Sequence, residues 1–372
     1  WLSIVLTPLL FLNIPQPWLW YGYLLWLLLS SARMTMHVLP EWSRLLSAMA
    51  ASLLTALLAM YWIALPRSAY VETSATVELD EGEQFLPPPR VELAVSAEAL
   101  MFDQALMVEQ ALSAIEPGRP GKVEMFVLGF GSDANENVFR NEVEYLGQLA
   151  KVRFGVRTRV LTLLNNTATV DRFPLATLSN LRAALLGLRQ KMNAEDVLFL
   201  YFTTHGAEEH ELLVDLAPLP LDQIAPEDLA AAISDADIGH RVVVISACYS
   251  GGFITALRAP KAMVLTAARA DRPSFGCGVD SDITYFGRAF LLDGLNLRRD
   301  FKSAFVLARK LVATRERSQG YTPSEPQIAT GREIAQVLSE LEQSWPSELP
   351  TLAFRPAEKS KKSKALEPSD RP

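Results

Sequence analysis

Two short strings in this chain pair a nucleophile with a base. Phe202-Thr203-Thr204-His205-Gly206 closes one apolar run, and Ile245-Ser246-Ala247-Cys248-Tyr249-Ser250-Gly251-Gly252 closes another. A thiol attacks as its thiolate, and a nearby imidazole lowers the thiol pKa or takes its proton. If the two runs are neighbouring strands, they lie about 4.8 Å apart and present His205 and Cys248 to each other beyond the sheet. The glycine after His205 leaves room for a substrate carbonyl. The backbone N–H groups of Gly206 and Cys248 are then natural donors to the oxyanion of a tetrahedral intermediate. Gly251 and Gly252 permit a tight turn after the nucleophile.

Other uses of these residues stand beside this one. Cys248 and Cys277 are the only two cysteines, so a single disulfide between them is the alternative to a free thiol. A Cys-rich zinc site and a disulfide scaffold are excluded by that count. A serine nucleophile at Ser250 lacks the G-x-S-x-G elbow. His37, His210 and His240 show no metal-ligand spacing with one another or with a cysteine. No metal or organic cofactor is implied.

The elements that position these residues follow from hydrophobic periodicity. Strands are predicted at Val123–Phe130, Thr158–Leu164, Asp196–Phe202, Arg241–Ser246, Ala262–Thr266 and Ile328–Thr330. Helices are predicted at Asn137–Val152, Leu175–Met192, Pro226–Ile233, Tyr285–Leu295, Phe301–Glu316 and Glu333–Leu341, with a small hairpin arm at Glu211–Val214. Alternating strands and helices, with strands too apolar to be half exposed, imply an α/β sandwich around a mostly parallel sheet. Such sheets collect reactive groups beyond the carboxyl ends of their strands.

This domain is expected over residues 122–345. Residues 67–121 read as a linker punctuated by Pro87-Pro88-Pro89, and residues 346–372 read as a disordered polar tail. Residues 1–66 hold most of the chain's excess apolar content, with no charge before Arg33. Pro15 and Pro17 break the first run, a second span is expected from Trp18, and a third runs from Leu45 to Leu65. Two to three transmembrane helices are therefore expected, with the lipid bilayer as a partner. The chain opens on Trp1 inside an apolar run, so the native N-terminus is expected upstream. Arg33 and Arg44 in the loop between the last two spans, against Arg67 beyond them, place that loop in the cytoplasm and the rest of the chain outside it.

A net charge of −7 argues against nucleic acid, which needs a clustered basic surface. The one basic run, Lys359 to Lys364, sits in the tail. Nothing in the sequence sets an oligomeric state.

The motifs together resemble a known family. Leu198 to Gly206 closely resembles the histidine motif of the legumain-type cysteine peptidases, peptidase family C13, relatives of the caspases. Ser246 to Gly251 resembles their nucleophile motif. Thr266-Ala267-Ala268 and Ser274-Phe275-Gly276-Cys277 resemble their pocket loop, and Thr284-Tyr285-Phe286-Gly287 the segment that closes it. Phe139-Arg140-Asn141 stands where the family keeps a substrate-gripping arginine. The resemblance implies a caspase-like α/β/α sandwich that hydrolyses a polypeptide substrate through His205 and Cys248. The preceding spans resemble a bacterial branch tethered to the inner membrane, with its catalytic part on the periplasmic side.

The same resemblance gives a substrate pocket of Arg140, Ser246, Ser274 and Arg288, with Ser246 and Arg288 in place of two acids. The pocket charge then turns positive, and an acidic residue at the cleaved position is the expectation. In the family an asparagine orients the histidine. Val138 stands there, with Asn137 beside it, and that role is left unassigned. Two rival functions remain open. One is a transpeptidase using the same dyad, and the other is a non-enzymatic membrane scaffold with a caspase-like domain.

Overall fold

A computed structural model describes residues 96–278, 281–345 and 348–357. All of these lie in the unit Pro87–Pro372. The spans expected within residues 1–66 lie outside the described residues. Among the described residues no helix is long and apolar enough to cross a membrane.

Six strands form one sheet: β1 (Met125–Gly131), β2 (Val160–Leu164), β3 (Val197–Thr203), β4 (His240–Ser246), β5 (Ala262–Thr266) and β6 (Gln327–Thr330). Their order is β2-β1-β3-β4-β5-β6. The first four pairings are parallel, and β6 runs antiparallel to β5. The mostly parallel sheet read from the sequence is present, each strand lying within two residues of its expected bounds.

The strands are apolar throughout because both faces are covered. In β3, Leu198, Leu200 and Phe202 join one core cluster, while Val197, Phe199 and Tyr201 join the other. In β4, Val243 and Ile245 go with the first cluster, and Val242 and Val244 with the second. This period-two split is the pleat of a strand buried on both faces.

The first cluster is completed by α4 (Leu178–Lys191), α5 (Pro226–Asp235) and the short α6 (Phe253–Leu257). The second is completed by α3 (Asn137–Arg153), α7 (Tyr285–Gly287) with the π-helical turn Arg288–Leu295, α8 (Phe301–Ser318) and α9 (Arg332–Gln343). Caps set several of these starts. Thr177 accepts from the Asn180 N–H at α4, and Asp300 accepts from the Ser303 N–H at α8. The arm at 211–214 forms isolated bridges, Leu212 pairing with both Gly206 and Ile224.

Two domain boundaries need correction. Within the stretch read as a linker, α1 (Ala97–Phe102) and α2 (Gln104–Ser113) are helical and packed. The buried Gln104 side chain accepts from the Leu175 N–H at 2.8 Å and from Asn180 Nδ2 at 2.8 Å. Leu112 packs on α4 so closely that a Cβ on Gly187 would overlap its methyl groups. These helices are short and bury few residues, so their apolar period is weak.

The start of the expected polar tail also belongs to the fold. Leu349, Leu352 and Phe354 pack on the second core cluster. Arg153 donates to the carbonyls of Leu349 and Pro350 at 3.0 Å each, and Tyr145 Oη donates to the Leu352 carbonyl at 3.1 Å. The basic run Lys359–Lys364 lies outside the described residues.

One buried group ties the sheet to the segment beyond β5. Glu142 on α3 is fully buried and accepts from Tyr201 Oη and Thr203 Oγ1 at 2.7 Å each and from the Thr284 N–H at 2.9 Å. Burial pushes its carboxyl pKa up. Glu142→Ala would strand three buried donors, each costing about 1–3 kcal/mol. A stability loss of about 3 kcal/mol is expected by denaturant unfolding. Glu142→Gln should lose far less, because the two hydroxyls can turn to accept from the new amide. Equal losses in the two variants would show that the hydrogen bonds are not what Glu142 contributes.

Candidate active site

Gly131, Thr203 and Ser246 form one row across the adjoining strands β1, β3 and β4. His205 and Cys248 each lie two residues past that row. The two backbones run close together there. A Cβ on Gly206 would overlap the Cys248 carbonyl oxygen, so only glycine fits at 206. Past Cys248, Tyr249 adopts a left-handed φ of 54°. It is held by its own N–H, which donates to the Arg272 carbonyl at 2.8 Å.

The tight turn expected at Gly251 and Gly252 is present as a 3-10 turn over Ser250–Gly252, with the Gly252 N–H donating to the Tyr249 carbonyl at 3.1 Å. Gly252 has an ordinary helical φ of −59°. A Cβ on it would overlap the His210 ring, and one on Gly251 would overlap the backbone at Arg269 and Ala270. These glycines also permit close packing behind Cys248.

Cys248 and Cys277 are both free thiols in this structure, so the disulfide alternative is not the form seen. Cys248 Sγ accepts from the Ser274 N–H at 3.2 Å and lies 3.6 Å from Ser274 Oγ. The Cys277 thiol also donates to it, which is the largest influence lowering the Cys248 pKa. Burial opposes this, and the Ser274 donors and the His205 charge add to the lowering. Cys277 is pushed up, first by that same hydrogen bond and then by burial. Cys248, with more donors and the imidazole beside it, is the thiol of the pair that ionises first.

His205 is 34% exposed at its side chain, and its Nε2 faces two acids. Asp133 Oδ2 is 3.5 Å away and Glu136 Oε2 is 3.6 Å away. The Phe139 ring stands edge-on to the imidazole at 5.2 Å between centroids. The His205 carbonyl accepts from the Leu213 N–H at 3.0 Å, so the arm that bridges Gly206 also fixes the histidine backbone. Burial raises the pKa of both acids, and the His205 charge opposes the rise in each. Asn137 is engaged elsewhere, accepting from Asn166 Nδ2 at 3.1 Å.

Asp133, Glu136 and Glu142 lie outside the sequence motifs, and Cys277 enters them only as a loop residue or a disulfide partner, not as a donor to Cys248. One signal was available for Asp133. It follows the apolar run of β1 as His205 follows that of β3.

The expected pocket residues are only partly brought together. Ser274 touches Cys248. Ser246 is 2% exposed and shares a hydrogen bond of 3.3 Å with Thr284 Oγ1. Arg140 lies 3.4 Å from Glu144 within α3, and Arg172 also pairs with Glu144. Arg288 is exposed on the π-helical turn. Among the described residues no hydrogen bond or ion pair joins Arg140 or Arg288 to Cys248 or Ser274. Glu142 adds a buried carboxyl group against Thr284, the partner of Ser246. The expectation of an acidic preference, which rested on paired arginines, therefore has no support in this geometry.

Residues 179–336 match the Peptidase C13 family. That stretch contains His205, Cys248 and the loop from Ser274 to Arg288. It begins downstream of Asp133, Glu136, Arg140 and Glu142. Among solved structures, the chain is similar to the "structure of pro-sf-caspase-1" at 12% identity and a TM-score of 0.37. The similarity covers 57% of this chain and 92% of that one. No curated protein matches the chain.

The thiol environment makes a prediction that needs no substrate. Alkylation of Cys248 by iodoacetamide, followed against pH and mapped by mass spectrometry, should show a midpoint below the ordinary thiol range. Cys277→Ala removes a donor to the thiolate and should move the midpoint upward. An unmoved midpoint would mean that Cys277 does not tune the Cys248 thiol.

Proposed function

We propose that this chain is a cysteine peptidase in which Cys248 attacks a peptide carbonyl and His205 manages the protons. The observation that carries the reading is the paired position of the two residues. Each lies two residues past one row of a parallel sheet, with the thiol pKa lowered and donors around the sulfur. The match to Peptidase C13 across the same stretch supports it.

The steps follow from that placement. The Cys248 thiolate bonds to the carbonyl carbon while His205 holds a proton. The N–H groups of Gly206 and Cys248, which donate to no backbone carbonyl among the described residues, face the forming oxyanion. The tetrahedral intermediate collapses as His205 gives its proton to the leaving amine, which departs and leaves an acyl-enzyme. His205 then takes a proton from water, which attacks the thioester and releases the acid and the thiolate.

Cys248→Ala should reduce peptide hydrolysis to background without unfolding the chain, because it removes one sulfur from a partly buried site. His205→Ala should lose nearly as much, since the two act as a unit. Both are measured with a set of fluorogenic peptides varied at the cleaved residue. Retained turnover in Cys248→Ala would overturn the dyad.

The reading extends to location. The apolar runs within residues 1–66 would tether the peptidase to a bilayer. The arginines at 33 and 44 would keep the loop between spans inside, and residues 68–372 outside. In spheroplasts with an intact inner membrane, added protease should digest residues 68–372. Protection until lysis would reverse the orientation.

A further inference from the structure

The row that places His205 and Cys248 holds a third position. Gly131 of β1 pairs with Thr203 of β3, and Thr203 pairs with Ser246 of β4. Two residues past these lie Asp133, His205 and Cys248. Three parallel strands thus end on an acid, an imidazole and a thiol in adjacent order.

The contacts fit that order. Asp133 is 2% exposed, and its two carboxylate oxygens have separate partners. Oδ1 accepts from the Asn135 N–H at 2.8 Å and from Asn135 Nδ2 at 2.9 Å. Oδ2 is the oxygen facing His205 Nε2 at 3.5 Å. Asn135 is itself braced, because Nδ2 also donates to Asp215 Oδ2 at 2.8 Å. The Asp133 backbone pairs with Asp215 in an isolated parallel bridge. Asp133 is therefore fixed from behind and has one oxygen free for the imidazole. Glu136 Oε2 is buried without a hydrogen-bond partner, and it too lies near Nε2, at 3.6 Å.

We propose that Asp133 is the positioning residue for His205, with Glu136 in a supporting role. The carboxylates take the Nε2–H, fix the ring and its tautomer, and leave Nδ1 to serve the thiol. They also stabilise the imidazolium that forms whenever His205 carries the thiol proton. This rests on the reading of His205 and Cys248 as a dyad and assigns the group that completes it.

The charged and titratable groups facing His205 are Asp133 and Glu136 from the segment between β1 and α3, with Asp215 behind Asp133, and Cys248 from β4. A carboxylate beside Nε2 holds the ring proton on that nitrogen, so its removal lets the proton move to Nδ1. Asp133→Asn keeps the volume and the Oδ1 acceptor but puts an amide donor where Oδ2 faces Nε2, so it removes the charge and the acceptor together.

The test has one arm free of activity. In full-length Cys248→Ala protein labelled with 15N-histidine, with the His205 signal assigned by a His205→Gln control, the nitrogen shifts of the neutral ring read its tautomer. Asp133→Asn should weaken the preference for the Nε2–H tautomer. Asp133→Glu should restore part of it, and Glu136→Gln should weaken it less. In the protein with its thiol intact, Asp133→Asn should cost on the order of 100-fold in kcat with little change in KM. An unchanged His205 tautomer in Asp133→Asn would overturn the proposal even if Cys248→Ala is inactive. Activity surviving in Cys248→Ala would instead overturn the dyad reading on which it rests.

Discussion

A side chain at residue 133 can meet one at 205, and that one a thiol at 248, only if three separated strands end level with each other. The parallel pairing of β1, β3 and β4 does this, with Gly131, Thr203 and Ser246 in one row. Slippage of β4 by one residue would carry Cys248 about 3.3 Å along the strand and reverse every side chain's face. The two-sided apolar pattern of β3 and β4 prevents this, because a slip would exchange the contents of the two core clusters. Register is thus fixed by burial along the whole strand, and the chemistry sits where burial stops. The strand order β2-β1-β3 also reverses direction between β1 and β3. At such a point the crossover helices leave opposite faces of the sheet, and a crevice opens where Asp133 and His205 stand.

The site then sets desolvation against donors. Burial alone would raise the thiol pKa and favour neutral acids. For Cys248, the Cys277 thiol and the Ser274 N–H more than offset burial. For Asp133, burial prevails over the Asn135 donors and the His205 charge. The loop that supplies the thiol's donors, from Ser274 to Cys277, is held in turn by the Tyr285 N–H, which donates to the Phe275 carbonyl at 2.9 Å. The Phe275 ring also stacks on Tyr321 at 4.4 Å between centroids.

Much of this was legible in the sequence because it follows from local rules. Strands of unbroken Val, Leu, Ile and Phe gave the sheet. Reactive residues just past two of them, Cys248 and His205, gave the dyad proposed above. What escaped depended on contacts between distant residues. Asp133 and Glu136 sit in a polar loop that resembles any other, and only the row through Gly131 makes them neighbours of His205. Glu142 occupies a helix position that a hydrophobic pattern reads as an exposed charge. Its burial needs the hydroxyls of Tyr201 and Thr203, which sequence separation conceals. Gly206 was noted for leaving room, and it does so for the backbone of Cys248. The helices over residues 97–113 and the packed stretch at 348–357 were missed for a related reason. Their apolar residues are few and pack on surfaces made by the rest of the domain.

The first turns of α3 connect these parts. Asp133 and Glu136 just before the helix face Nε2 of His205, and Phe139 meets the ring edge-on. One residue beyond Arg140, Asn141 donates to the Asp282 carbonyl at 2.8 Å and accepts from the Ala357 N–H at 2.9 Å. Glu142 then takes the Thr284 N–H together with Thr203 of β3. A single stretch of ten residues therefore contacts the imidazole, the end of its strand, the loop leading away from the thiol's donors and the last described segment of the chain. Most of these links are hydrogen bonds to buried groups, where an unmet partner is costly, so the helix cannot shift without breaking several at once. The imidazole comes from another strand, but its surroundings are set from this one helix start, while the thiol takes its donors from the loop at Ser274 to Cys277.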